Sequence, residues 1–430
     1  MSAAFLVLVA VFFGTAAIGV PVGLAMLLGG LAYLFAGGQD PALAAEQILN
    51  GMLNSYVLLA VPMFILAANV MNAGTISDRI FHFCHLIVGR MRGGLAQIDI
   101  LVSVIFASMS GSAIADAAGP GMMTIRAMTR AGYPRGFAAA VVCASATIGP
   151  IIPPSIPMVL YALVSSASVG ALFLGGVVPG LIMALSLAGV TYAIAVRRGF
   201  PLSEPVPPGQ WPAILGRAVL PLSLPAVLLG GIYSGAFTPT EAAAVGAAYA
   251  MLLSAFVYRS LGLRGLFGVM LDSLRSSASV TLIIAGAFIV NYAVAAEQIP
   301  AAIAALLAGS SLSPTVFLLL VNLAFLVLGC FLDATTLLLV VVPILLPAIQ
   351  AMGIDLVHFG VVIIVNIMIG LITPPYGVLL FVLSGLTRIP TGEIIAQGWP
   401  YVGALIGALL LITLLPETVL WLPRQFGYGG

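Results

Sequence analysis

IGPIIPPSIPMVLYA, residues 148–162, and IGLITPPYGVLLFVL, residues 369–383, decide how this chain folds. Each is an apolar stretch interrupted by a Pro-Pro pair, Pro153-Pro154 in the first and Pro374-Pro375 in the second. Proline lacks an N–H and its ring clashes with the preceding turn, so each pair breaks the helix that surrounds it. The pairs are 374 − 153 = 221 positions apart. The same offset carries Ile148-Gly149 onto Ile369-Gly370, Gly132 onto Gly353, Ser112 onto Asp333 and Pro179 onto Pro400. A gapless correspondence from Ser112 to Pro179 marks an internal repeat.

Composition sets the environment. Of 430 residues, 62% are hydrophobic and 6% charged, against about 25% charged in a soluble domain. Several apolar stretches exceed the roughly 20 residues that cross a bilayer as a helix. Met1 to Leu34 has no charged side chain and is too long for a signal peptide, so it reads as a retained span. A net charge of +1 gives nucleic acid no electrostatic footing. Cys84, Cys143 and Cys330 form no CxxC pair, which supports neither a disulfide framework nor a metal cluster. His82 and His85 share a helical face, but Arg79, Arg90 and Arg92 around them suggest a membrane-surface helix rather than a metal site.

Apolar runs predict nine spans, at 4–36, 49–73, 136–166, 170–196, 212–235, 239–258, 272–296, 358–386 and 398–421, with interfacial connectors at 37–48 and 297–312. Segments 95–130 and 313–351 are apolar but interrupted. Arginine clusters at 79–92, 126–135, 197–198 and 259–275 belong in the cytoplasm by the positive-inside rule, leaving Arg217, Arg388 and Arg424 apart. The amino terminus is then expected inside and the carboxyl terminus outside. Segment 95–130 enters and leaves on the Arg-rich side, 313–351 on the other. Both read as re-entrant hairpins, of opposite orientation. Five spans separate them, and an odd number inverts the second copy. The fold class is therefore an all-α integral membrane protein, an inverted repeat with two re-entrant hairpins and two broken helices, the pattern of secondary transporters.

A break at the midplane leaves backbone groups open, which is tolerable only beside protein or a water-filled cavity. Freed carbonyls suit hard cations such as sodium, and half-helix amino termini favour an anion. The hairpin tips, Ser108 to Ser112 and Gly329 to Asp333, complete each half. Symmetry gives two candidate ion sites. Site one takes Ser108, Ser110, Gly111, Ser112, Gly149, Ile152 and Ser155; site two takes Gly329, Asp333, Gly370, Thr373 and Tyr376. Substrate belongs between the tips, near Ser110, Ser112, Pro153, Pro154, Thr335, Thr336, Pro374 and Pro375. The plainer readings are kinks and close helix packing, which small residues and proline also serve. Asp116 and Asp333 are intramembrane acids and functional candidates by default, and Asp333 is equally suited to capping a helix. Thr238-Pro239-Thr240-Glu241 is a capping box, which gives Glu241 a structural role.

VPMFILAANVM at 61–71, SMSGSAIADAAGPGMM at 108–123, IGPIIPPSIPMVLYA, FTPTEAAAVGAAYA at 237–250 and LITPPYGVLLFV at 371–382 together resemble the large membrane subunit of tripartite ATP-independent periplasmic (TRAP) transporters, over nearly the whole chain. The resemblance implies sodium-driven uptake of an organic anion, usually a carboxylate or sugar acid, with sodium as coupling ion and no cofactor. It implies an elevator, with 74–166 and 313–386 as the two halves of a transport domain. The scaffold comprises 1–73, which includes the helices opening the first repeat, together with 167–271 and 387–430; 272–312 opens the second repeat. It also implies a small four-helix membrane subunit, expected as a separate chain because no fused one precedes Met1, a periplasmic substrate-binding protein, and the bacterial inner membrane. The chain departs from a simple anion carrier in having no arginine beside either tip.

Three other readings compete. A stand-alone sodium/carboxylate symporter also uses inverted hairpins. A channel needs a continuous polar lining, which two short polar clusters do not supply. An intramembrane enzyme ranks last, since no HExxH, Ser-His or paired-Asp arrangement lies in the spans.

Overall fold

The computed structural model describes residues 2–200, 202, 206–308 and 312–428. Every regular element among them is helical, and seven helices are long and apolar enough to cross a membrane. The chain opens with α1 (Ala3–Ala17) and α2 (Val22–Ala36), which pack against each other. The single span expected over 4–36 is thus a helical hairpin. Its turn, Ile18-Gly19-Val20-Pro21, has Gly19 at φ +89° and carries no charge to mark it.

The first repeat begins with α3 (Ala42–Leu53), part of which occupies the expected connector, and α4 (Ala60–Ala73). The amphipathic α5 (Ile76–Val88) leaves His82 exposed, as a surface helix should. Hairpin one follows. Its first arm is α6 (Gly94–Ser110), and its second is α7 (Ala113–Asp116), one wide π turn at Ala117–Gly121, and α8 (Met122–Arg130). Broken helix one consists of α9 (Arg135–Ala146) and α10 (Ile156–Ser165). The repeat closes with the 30-residue α11 (Val169–Arg198).

Two helices link the copies. They are α12 (Trp211–Tyr233) and α13 (Pro239–Leu252), the latter opened by the Thr238–Glu241 capping box. The second repeat is α14 (Leu263–Ala296), α15 (Ile299–Ala308), hairpin two, broken helix two and a closing helix. Hairpin two runs through α16 (Pro314–Gly329), α17 (Ala334–Thr336), a wide turn at Leu337–Val341 and α18 (Val342–Ala351). Broken helix two is α19 (Leu356–Gly370) and α20 (Val378–Thr387). The closing α21 (Thr391–Leu414) and the separate α22 (Glu417–Gln425) replace the expected span at 398–421.

An offset of 221 therefore sets whole helices on one another: α6 on α16, α9 on α19, α10 on α20 and α11 on α21, with every start within about one residue, although α21 ends earlier than its counterpart. Even the π turns correspond. The match reaches further than the sequence alone indicates, since α3 and α4 together overlay the single helix α14.

Sidedness changes at the amino terminus. Helices α2 and α14 run parallel, with Gly23 beside Leu282 and Ile283 and Gly30 beside Ile289. Ser2 meets Glu297 just past the end of α14, its amide donating at 2.7 Å and its hydroxyl donating as well. These bonds hold the Glu297 carboxyl below its usual range, the hydroxyl contributing most. Arg264 and Arg275 lie toward the opposite end of α14. The extra crossing made by the α1–α2 hairpin thus moves the amino terminus from the expected inside to the outside, while the carboxyl terminus stays outside. Arg217 joins the cytoplasmic set, because the start of α12 packs beside Thr75, Asp78, Arg79 and His82.

Candidate functional site

Hairpin one seats its tip on broken helix one. Gly111 takes φ +60°, and a Cβ there would lie 2.5 Å from the Pro154 carbonyl oxygen and 3.2 Å from the Ile156 nitrogen. Only glycine permits both the conformation and the approach. Ser112 then caps α7, accepting from the Ala115 amide at 3.3 Å. Ser155 caps α10 in the same way, accepting from Met158 at 3.2 Å while donating to the Pro150 carbonyl. Ser108 donates to Ile105 at 2.5 Å. Ser110 differs: it is fully buried and its hydroxyl has no hydrogen-bond partner among the described residues. The carbonyls of Gly149 and Ile152 accept no hydrogen bond from the described residues. Open oxygens in site one thus include those of Ser110, Gly149 and Ile152, whereas the hydroxyls of Ser108, Ser112 and Ser155 are already engaged.

Hairpin two meets its broken helix through glycines. A Cβ on Gly370 would lie 2.9 Å from the Gly329 backbone. The Asp333 carboxylate caps α17, with Oδ2 accepting from the amides of Thr335 at 2.9 Å and Thr336 at 3.1 Å, and Oδ1 accepting from the Thr336 hydroxyl at 2.5 Å. The Thr373 hydroxyl donates to Ile369 at 2.7 Å. Tyr376 is 55% exposed and its ring lies against Phe381, 5.1 Å between centroids. In site two the carbonyls of Gly329 and Thr373 accept no hydrogen bond from the described residues, and Gly370 already accepts from the Thr373 amide at 3.1 Å. Both Pro–Pro peptide bonds are cis.

A cavity of about 470 Å³ joins the two tips. Ser110, Ser112 and Thr335 of the expected substrate set line it, together with Asp333 of the expected second ion site. The structure does not bring Pro153, Pro154, Thr336, Pro374 or Pro375 to that wall. Pro153 and Pro154 are buried behind it, Thr336 is buried against Asp333, and Pro374 lines a small pocket with Cys143 and Trp399. Those prolines shape the breaks instead. No arginine lines the cavity; four half-helices begin at it, through Ala113 of α7, Ile156 of α10, Ala334 of α17 and Val378 of α20. Their partial positive charge converges on one space.

Sequence reading missed the opposite wall. Asn69 and Asn72 of α4 and Ser276 of α14 line the cavity. Asn69 donates to Ser273 at 3.0 Å, and Asn72 donates to the Ala115 carbonyl at 3.0 Å while its own oxygen stays unpartnered. Two amides one turn apart in VPMFILAANVMN were the available signal, because polar side chains in membrane helices bond across helices. Asp99 was also missed. It is buried in α6 and accepts from Ser145 of α9 at 2.6 Å, while the equally buried Asp116 carboxylate has neither oxygen hydrogen-bonded. At the position equivalent to Ser145, Asn366 donates to Asn322 Oδ1 at 3.0 Å. Each hairpin is thus tied to its own broken helix by one buried polar pair.

Comparison with known proteins fits this architecture. Residues 9–418 match the family described as tripartite ATP-independent periplasmic transporter, DctM component. The chain is 41% identical to the sialic acid TRAP transporter large permease protein SiaM of Vibrio cholerae, covering 96% of each chain. It is 42% identical to the C4-dicarboxylate large permease DctM of Pseudomonas aeruginosa, over 86% of this chain and 87% of that one. The 2,3-diketo-L-gulonate large permease YiaN of Escherichia coli is 34% identical over 97% of this chain and 98% of its own. Among solved structures, the Alcanivorax borkumensis YdaH transporter shares the fold at TM-score 0.62 and 14% identity, covering 89% of each chain. The chain belongs to the DctM family of tripartite ATP-independent periplasmic transporters, as a multi-pass permease component of the inner membrane.

Proposed function

We propose that this permease carries out sodium-coupled uptake of a small organic anion, a carboxylate or sugar acid, handed to it by a periplasmic substrate-binding protein. The observation that carries the proposal is the convergence of four half-helix amino termini on a cavity lined by Ser110, Ser112 and Thr335. Preorganised backbone N–H groups and the helix dipole favour a carboxylate without any arginine. The three relatives above are named for sialic acid, C4-dicarboxylates and 2,3-diketo-L-gulonate, all organic acids. For sodium, the open oxygens of Ser110, Gly149 and Ile152 are a donor set of the right kind, and the Gly329 and Thr373 carbonyls beside the Asp333 charge are the second. Sodium would be held there by oxygen atoms and would add positive charge next to the bound acid.

The movement we propose is an elevator. Residues 74–166 and 313–386, each a hairpin tied to its broken helix, travel together against a scaffold made of 1–73, 167–271 and 387–430, with 272–312 opening the second half. A small membrane subunit completes the assembly. The test is reconstitution of the complex in liposomes under a sodium gradient, with and without the binding protein. Uptake is expected to need both, and uptake that needs neither would sink the reading.

A further inference from the structure

At the cytoplasmic end of the molecule, away from the hairpins, α5 and α12 enclose a second cavity of about 220 Å³. It is lined by Thr75, Asp78, Arg79, His82, Ile214 and Arg217. Arg79 is held in place by lying over the Tyr258 ring, 3.8 Å from its centroid. Its Nε is buried without a hydrogen-bond partner among the described residues, and so is the Thr75 hydroxyl. A guanidinium N–H out of contact with water and unpaired lacks an acceptor that the protein does not provide. His82 donates through Nδ1 to the Asp78 carbonyl at 2.6 Å, which leaves its other nitrogen free of that bond. Two guanidinium groups outweigh the single Asp78 carboxylate.

We infer that this cavity binds the phosphate of an anionic phospholipid from the cytoplasmic leaflet. Guanidinium forks match phosphate oxygens bidentately, and basic pockets between membrane helices on this side suit such headgroups. The surroundings favour a lipid over free phosphate. Ile214 forms an apolar edge of the cavity, and Leu215 and Val219 stand exposed on α12, 45% and 60% accessible. An acyl chain can lie along them while the headgroup reaches Arg79 and Arg217. Bound there, the lipid bridges α5, which leads into hairpin one, to α12.

Trp211, at the start of α12, is a built-in reporter. The full chain, with its partner subunit and with Trp399 and Trp421 replaced by Phe, is placed in phosphatidylcholine nanodiscs. These carry an equal small share of either phosphatidylglycerol or phosphatidylcholine brominated in its acyl chains. Brominated phosphatidylglycerol is expected to quench Trp211 severalfold more than the brominated phosphatidylcholine. The preference is expected to vanish in Arg79→Gln/Arg217→Gln and to persist in Arg126→Gln/Arg130→Gln, whose arginines lie elsewhere on the same face. If the double variant does not fold, Arg217→Gln alone, at an exposed position, is expected to reduce the preference by more than half. Equal quenching by the two lipids, or a preference that survives loss of Arg79 and Arg217, overturns the inference. So does loss of preference in the Arg126/Arg130 control, which would mean general surface charge. Displacement of phosphatidylglycerol by millimolar inorganic phosphate also overturns it, assigning the site to the free ion.

Discussion

Repeat one and repeat two share their hairpins and broken helices and differ at their tips. Ser110-Gly111-Ser112 corresponds by the 221 offset to Phe331-Leu332-Asp333. The first tip is closed: Ser110 is fully buried and Gly111 rests on the Pro154 carbonyl. The second is open: Phe331 is 63% exposed, and Pro375 and Tyr376 of broken helix two are exposed too. Capping is also solved twice, by a neutral hydroxyl at Ser112 and by a carboxylate at Asp333. A shared fold thus fixes where the oxygens and helix ends converge, and the local residues decide how tightly each tip is seated and whether it carries charge.

The largest expected effect tests the seating. Gly111→Val puts a branched side chain at φ +60° and against the Pro154 carbonyl, and should destabilise by about 3 kcal/mol or more. Phe331→Ser at the exposed second tip should cost less than about 0.5 kcal/mol. Thermal unfolding in detergent compares them, and equal costs would break the distinction between closed and open tips. Gly370→Ala should come next, at about 1–3 kcal/mol, from overpacking against the Gly329 backbone. A neutral result there would mean that hairpin two is not seated on its broken helix.

Asp333 separates structure from charge. Alanine removes the cap and should cost about 1 kcal/mol, whereas asparagine caps equally well and should leave stability unchanged. If the carboxylate also serves sodium, Asp333→Asn shifts the sodium dependence of uptake to higher concentrations at constant stability. An unchanged sodium curve reduces Asp333 to a cap. Ser110→Ala should also leave stability within about 0.5 kcal/mol, because the hydroxyl makes no hydrogen bond to lose among the described residues. Uptake should nevertheless fall, and full activity in this variant would remove Ser110 from the site.

The hairpins and broken helices were legible because proline, glycine and the repeat all point to the same places. Predicted segments 95–130 and 358–386 lie within about two residues of the observed bounds. The split between α1 and α2 was not legible from charge, because Gly19-Val20-Pro21 turns the chain without a polar residue and looks like uninterrupted span. The miss propagated, since one uncounted crossing reversed the amino terminus. Within the site, residues contributed by the tips were found because they lie inside the motif. Asn69, Asn72 and Ser276 lie 36 or more residues in sequence from the nearest tip, since 108 − 72 = 36, and only packing brings them opposite. Pro153 and Pro154 illustrate the converse, being conspicuous in the string yet buried and absent from the wall.

The Gly329–Gly370 contact has one more consequence. It is a seam of main-chain atoms, with no interlocking side chains that must change rotamer and little apolar area to wet when it parts. Separating it needs less work than separating a knob from its hole of the same span. The joint beside the exposed tip therefore rests on the fit of two main chains, and few side chains stand between them.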